Sequence, residues 1–546
     1  MRPGSEASGV ARAGRPVQIR RRRIDDPPEG ELESRAARAM RSHGRMGDVP
    51  ARARRDVDAV AGTPGKSILR LRICRPRGVE RVTRRTAIPD RGTMEGRDHA
   101  ARVRALMPEL RRDLDDLVRI PSISGDGRPE GPLREAHDLV AKLFRDAGVP
   151  EVSTLELPGT NPIVIGEIPA PEGAPTVLLY SHYDVVPAGD ETEWTSPPFE
   201  PVERDGAVFG RGAADTKSNI IAHVGALRAW DGRPPVGIKI VIEGQEEVGG
   251  GALTTYPLTN PELFAADAMV IGDMGSVRPG VPTLTVALRG MANVTIEVTT
   301  LASAKHSGQY GGAAPDALLV LLRALASLHD DAGDVAVEGL RREEWTGGGN
   351  TEEEFRALAE IRDGLPLIGT GTLGSRVWSG PAITVIGMDV PPVDGALNAV
   401  QPRARAIINV RVHPEQDAAD AQAAVMRHFE RLAPFGVPLQ VSAGPTGNGF
   451  AAKTDGPAYE AARASWAAAW GREAVTAGVG GSIPLVNALQ VAAPEAEMLL
   501  VGTTDGYANI HGPDERVMLD EFERAIVAEA DFLGRYATVM AERGGR

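Results

Sequence analysis

Residues 176–187 read TVLLYSHYDVVP, and this stretch decides the fold. Positions 176–180 form a short apolar run of the kind that is buried on both faces of a parallel sheet. The chain then turns polar, with His182 and Asp184 two residues apart. Extended backbone puts both side chains on one face. Similar runs recur at 237–242, 268–271 and 497–501, and 162–168 also reads as a strand. Helical stretches alternate with them. One spans about 133–147 and stops at Gly148, a residue suited to the left-handed position after a helix; another spans 217–230. An earlier helical periodicity begins near Pro108, with Leu110, Leu114, Leu117 and Val118 on one face, and ends before Pro121. This rhythm predicts an α/β domain around a mostly parallel sheet.

From about Leu284 the pattern changes. Residues 293–298 alternate as an antiparallel strand does, and 382–386, 404–412 and 438–442 read as further strands. Helices are expected at 315–328 and 417–432. These elements make an α+β unit inserted into the α/β domain. A charged, Gly-rich stretch at about 330–375 interrupts it, helical at 351–362. The α/β rhythm resumes with a helix at 456–470, the strand at 497–501 and a last helix near 519–541. The expected division is therefore 98–284 and 446–546 for the α/β domain and 285–445 for the insert.

Charge separates off the first 93 residues. They hold 23 Lys+Arg against 11 Asp+Glu, a net +12, so the remainder carries −25 of the chain's −13. Every Phe, Trp and Tyr lies after this segment, leaving it little with which to build a core. It reads as a disordered basic tail or as upstream sequence from an overcalled start. A secretory signal needs an apolar run after the basic one, and Arg20–Arg23 is followed by Ile24, Asp25, Asp26 and Pro27. A single cysteine, Cys74, excludes an intrachain disulfide framework and a Cys-cluster metal site. No run of about 18 apolar residues is present to span a membrane.

Five segments carry acids or histidines at points of interest: His182, Asp215 before the helix at 217, Glu246 and Glu247 after the strand at 237, Asp273 after the strand at 268, and His511 beyond the strand at 497. Singly each has an ordinary explanation, such as a surface pair, an N-cap, a solvated loop or an Asx turn. Four of the five follow a buried-type strand. In an open parallel sheet such ends converge on one edge, where ligands bind. Two histidines and several carboxylates without cysteine suit one or two divalent cations such as zinc, cobalt or manganese. Two ions sharing a carboxylate would account for the excess of acids.

The strings SHYDVVP, GRGAADTKS, GQEEVGG, VIGDMG and IHGPDE resemble, in order and spacing, those of the M20 metallopeptidases, the aminoacylase/carboxypeptidase superfamily, across about 98–546. The stretch 338–378 and Gly480-Gly481-Ser482-Ile483-Pro484 resemble the dipeptidase-like branch. The resemblance implies one metal on His182, Asp215 and Asp273 and a second on Asp215, Glu247 and His511. Glu246 would be the general base and Asp184 would orient His182. It also implies a cis peptide bond at Asp215–Thr216, and an insert that acts as a lid and dimerises. On that lid, His306 would steady the oxyanion in a partner subunit's site, and Asn398 and Arg411 would hold substrate, Arg411 by its carboxylate. The chain departs from the usual pattern where Gly478-Val479 replaces Arg-Glu, and slightly at 398–402.

These features lead to a metal-dependent hydrolase of dipeptides or short peptides with a free C-terminal carboxylate. The expected enzyme is a cytoplasmic homodimer without nucleic-acid or membrane partners. An N-acyl-amino-acid or succinyl-diaminopimelate-type deacylase would use the same machinery. A non-catalytic ligand-binding homologue would lack a ligand or the base, and none is missing. Nucleic-acid binding through the basic arm is a third reading, but acids are interspersed in that arm and it has no aromatic to stack on bases.

Overall fold

The computed structural model describes residues 94–544 apart from Ser482; the basic segment 1–93 lies outside the described residues. Strands β1 (Glu151–Leu155), β2 (Ile163–Ile168), β3 (Thr176–His182), β4 (Gly237–Glu243), β5 (Ala268–Gly272) and β6 (Thr283–Leu288) belong to a large sheet. Strands β7 (Gly290–Thr299), β8 (Ala382–Asp389), β9 (Arg403–Val412) and β10 (Gln440–Gly447) form a smaller one. Strands β11 (Phe450–Ala451), β12 (Val475–Val479) and β13 (Glu497–Val501) return to the large sheet. Its order is β1-β2-β4-β3-β5-β13-β6-β11, with β12 also on β6. The central strands β4, β3, β5 and β13 are parallel, whereas β2 and β6 pair antiparallel with that centre from its two sides.

The apolar runs explain this centre. Along β3, Val177 and Leu179 enter the core on one face of the sheet, and Leu178 and Tyr180 enter the core on the other. Strands β5 and β13 alternate in the same way, Val270 and Leu499 to one side, Ile271 and Leu500 to the other. Strands apolar on both faces need cover on both, which is the parallel-sheet condition. Helices α1 (Met94–Val118), α2 (Glu130–Asp146) and α3 (Lys217–Ala229) contribute to that cover. Almost every residue of α3 is buried, since it packs against both α1 and the C-terminal helix.

Helix α1 begins at Met94 and runs through Pro108, where the sequence reading placed its start. Proline removes one helical hydrogen bond, a cost of about 3 kcal/mol in a helix interior. Fully buried Val103 and Leu110, on either side of it, supply compensating packing. The helix expected at 351–362 is shorter, Glu352–Leu358, opened by a capping box between Thr351 and Glu354. Strand β12 and a helix at Pro484–Ala492 have no counterpart in the sequence reading.

The smaller sheet has the order β8-β9-β7-β10, all antiparallel. Ala292, Val294, Ile296 and Val298 of β7 and Ala406, Ile408 and Val410 of β9 share one face and one core. Helices α4 (Ala317–Ala326) and α5 (Ala418–Glu430) complete that core. The intervening positions, including Met291 and Arg411, lie on the opposite face. Arg289 is the one residue between β6 of the large sheet and β7 of the smaller. At this crossing the backbones nearly touch: a Cβ on Gly290 would lie 2.8 Å from the Gly449 nitrogen, so glycine is required there.

Leu179 is fully buried at the middle of β3. Replacing it with alanine is expected to cost about 2–5 kcal/mol. A denaturant midpoint unchanged in Leu179→Ala would contradict this account of the core.

Candidate metal centre

The parallel strands deliver their polar ends to one edge. His182 is the last residue of β3, Asp273 follows β5, and Glu246 and Glu247 occupy the turn Glu246–Val248 just after β4. Asp215 stands two residues before α3, and its peptide bond to Thr216 is cis. His511 arrives from the segment after β13 with a φ of 64°, beside Asn509 and Asp514, which are also left-handed. Such conformations in non-glycine residues cost roughly 1–3 kcal/mol each and gather at functional sites.

The geometry joins these residues around Asp215. His182 Nε2 lies 3.2 Å from Asp215 Oδ1 and 3.4 Å from Asp273 Oδ1. His511 Nε2 lies 3.1 Å from Asp215 Oδ2 and 3.1 Å from Glu247 Oε2. The two oxygens of one carboxylate therefore face two different imidazoles, each with a second carboxylate beside it. Among the described residues, the ion pairs of Asp215, Glu247 and Asp273 are with these histidines and with no Lys or Arg. This donor set, nitrogen and oxygen without sulfur and with surplus negative charge, fits divalent cations.

Asp184 lies against His182 with both its main chain and its carboxylate. His182 Nδ1 is 3.0 Å from the Asp184 backbone carbonyl and 3.4 Å from its carboxylate. The carboxylate also accepts the backbone N–H groups of Glu246 (3.1 Å) and Glu247 (3.2 Å). Asp184 thus fixes the turn that carries both glutamates, while its main chain orients the imidazole.

Crowding shows in the protonation equilibria. Burial pushes the Glu246 carboxyl up to about 9; nearby Asp273, Glu247 and Glu243 add to the rise and His182 opposes it. Burial likewise takes Asp273 to about 6 despite the His182 hydrogen bond. Burial would raise Asp215 too, but hydrogen bonds from His182 and His511 hold it well below the usual carboxylate range. Hydrogen bonds to Asp215 and Glu247 raise His511 to about 10. Bound cations would take over the role of these protons.

Glu515, which the sequence reading left unassigned, organises the Asp215 loop. It is fully buried and accepts the backbone N–H groups of Gly212 (3.0 Å), Ala214 (2.9 Å) and Asp215 (3.0 Å), and pairs with buried Arg211. The only sequence signal was its place in the string IHGPDE. Glu243 also went unremarked; it is buried and accepts the Tyr180 hydroxyl at 2.7 Å.

The three residues expected on the lid have contacts of their own. His306 pairs with Ala399 in a two-residue ladder, and the neighbouring Ser307 N–H donates to the Asn398 carbonyl at 2.9 Å. The exposed His306 ring accepts the Gly308 N–H at 3.1 Å. Arg411 lies on β9 opposite Met291. Among the described residues no hydrogen bond or ion pair ties these three side chains to the metal-centre residues. A second histidine–carboxylate group, Glu343, His413 and Glu415, has its charge met by Arg341, which donates to both glutamates.

Substituting Glu515 by alanine would strand Arg211 and release three backbone donors of the Asp215 loop. Metal affinity in Glu515→Ala is expected to fall about 10–100-fold, as for other groups that orient ligands. Metal content after dialysis, with circular dichroism to confirm folding, checks this.

The model of Peptidase family M20/M25/M40 matches residues 178–535. Cysteinylglycine-S-conjugate dipeptidase of Corynebacterium striatum is 45% identical over 370 residues, which cover 66% of this chain and 81% of that protein. Beta-Ala-His dipeptidase of Rattus norvegicus is 27% identical over 436 residues, covering 75% and 85% respectively. The crystal structure of human carnosine dipeptidase 1 has the same fold, with a TM-score of 0.68 at 23% identity over 81% of this chain and 99% of that one. By the extent of the family match and the identity to its relatives, the chain belongs to Peptidase family M20/M25/M40.

Proposed function

We propose that this chain is a metal-dependent dipeptidase, hydrolysing the amide bond of dipeptides or short peptides that bear a free C-terminal carboxylate. One observation carries the reading: Asp215 faces His182 and His511 with its two oxygens, while Asp273 and Glu247 flank them and Glu246 stands beside Glu247. The relatives named as dipeptidases support the substrate class.

Two divalent cations, zinc for preference, would be held by His182, Asp215 and Asp273 and by Asp215, Glu247 and His511. Such cations supply Lewis acidity and make water a nucleophile near neutral pH. Glu246 takes the proton of the attacking water and passes it to the leaving amine. Its raised affinity for a proton suits the second half of that transfer, and bound cations would lower that affinity for the first. Asp184 keeps Glu246 and Glu247 in register through their backbone N–H groups. Arg411 and Asn398 hold the substrate, Arg411 by its carboxylate, and His306 steadies the developing oxyanion in the site of a second copy.

The division into 98–284 and 446–546 against 285–445 then becomes catalytic domain against lid. A homodimer through the lid is supported by apolar side chains exposed on the smaller sheet, Val385, Ile386 and Ile407. The one cysteine of the chain suits a reducing, cytoplasmic setting. Among the described residues no helix is long and apolar enough to cross a membrane.

In Glu246→Gln, turnover is expected to drop about 10²–10⁴-fold while metal content stays at the wild-type level. An unchanged rate would overturn the proton-transfer role. Chelation should abolish hydrolysis, and added zinc, cobalt or manganese should restore it. A panel of dipeptides and N-acetyl amino acids decides the bond cleaved: dipeptides are expected to be the better substrates, and the reverse order would make the enzyme a deacylase.

A further inference from the structure

The ladder between β3 and β5 stops short of the ligands those strands carry. Its last pair is Tyr180 with Ile271, two residues before His182 on one strand and two before Asp273 on the other. His182 Nε2 and Asp273 Oδ1 nevertheless come within 3.4 Å of each other. Side chains take over where the β3–β5 pairing ends. The Ser181 hydroxyl donates to the Gly272 carbonyl at 2.6 Å. His223 of α3 joins the same point: its Nε2 lies 3.1 Å from the Tyr180 carbonyl and 3.4 Å from Ser181 Oγ. A Cβ on Gly272 would lie 2.7 Å from that nitrogen and 2.9 Å from that hydroxyl, so only glycine fits between them.

The other side of the imidazole is held as closely. His223 Nδ1 lies 2.8 Å from Glu529 Oε1 on the C-terminal helix (Leu519–Gly544). Both residues are buried, at 1% and 4% exposed. A carbonyl and an ionised carboxylate only accept, so both ring nitrogens face acceptors. Burial opposes charge on this imidazole, but Glu529 and the Tyr180 carbonyl outweigh it and raise its affinity for a proton above that of an ordinary histidine. Apolar side chains of similar volume would serve stability as well or better in such a place. What the pair adds is direction. Glu529 fixes the ring, and the ring holds Tyr180 and Ser181, which lead into His182, against Gly272, which leads into Asp273.

We propose that His223, locked by Glu529, is a positioning residue for one of the two cations: it sets the spacing of His182 and Asp273 and leaves Glu247 and His511 unaffected. This rests on the two-cation reading of the centre. Glu247 and His511 are carried by other segments, the turn Glu246–Val248 and the chain after β13, so the influence of His223 is confined to one site.

The test uses the full chain in two backgrounds that separate the sites. His511→Ala keeps the site of His182, Asp215 and Asp273; His182→Ala keeps that of Asp215, Glu247 and His511. Each is stripped of metal and titrated with zinc, with circular dichroism to confirm folding. In the His511→Ala chain, His223→Gln should weaken zinc binding about 10–100-fold, as when other groups that orient ligands are removed. In the His182→Ala chain the same substitution should change it by no more than about twofold, as for an independent site. Glu529→Gln, which leaves the imidazole in place, should show the same preference with a smaller loss, and it decides the matter if His223→Gln does not fold. Combining the two substitutions restores a neutral hydrogen-bonded pair and should recover part of the affinity. Equal weakening in both backgrounds would make the pair a general structural element and overturn the proposal, as would undiminished binding in the His511→Ala chain. If the wild-type chain binds no zinc, the metal reading fails and the proposal with it. If wild type binds two equivalents and the substitutions show no selectivity, the positioning role alone fails.

Discussion

Asp215 must present its two oxygens in two directions at once, and much of the surrounding architecture serves that requirement. A carboxylate on a free loop would rotate to satisfy one imidazole. Here the loop is held from behind by Glu515, which accepts the backbone N–H groups of Gly212, Ala214 and Asp215 and pairs with Arg211. Removing one partner from a buried pair of this kind is costly because the other is left charged and alone. The rigidity of the bridging acid thus rests on a second acid some 300 residues away in sequence. That long-range dependence ties the last part of the chain to the first.

The parallel sheet supplies the other half of the constraint. β4, β3 and β5 run side by side in one direction, so the residues that follow them arrive at one edge. Burial of those strands on both faces makes their ends a place of low dielectric as well as of convergence. Carboxylates collected there raise one another's proton affinity, as Glu246 and Asp273 show. The same desolvation that makes the cluster unfavourable when empty of cations strengthens its attraction for them.

Much of this was legible in the sequence because the informative signals were local. Apolar runs ending in His182, Glu246 and Asp273 announce strands and what they carry, and alternation in 293–298 announces a strand with one covered face. What escaped was set by partners distant in the chain. Glu515 is one acid among many until Gly212, Ala214 and Asp215 are seen to turn their N–H groups towards it. β12 is short, contains a glycine, and is a strand because β6 lies beside it. Pro108 reads as a boundary, yet the packing of Val103 and Leu110 carries the helix through. The Asp184 contact escaped for a subtler reason: spacing places its side chain near His182, but cannot show that two backbone N–H groups at 246 and 247 are the better donors.

The two sheets also differ in the sign of the charge they leave uncompensated. The large sheet gathers acids at its edge, which call for cations; the smaller one carries Arg411, which calls for an anion. A net charge for the whole chain conceals both. On the proposed reading, a substrate is selected by having a carboxylate for the second site and an amide within reach of the first. An internal bond of a long protein offers no carboxylate at that position, so it would leave the Arg411 guanidinium unpaired. Discrimination of this kind comes from the cost of the unmet group rather than from the strength of the met one.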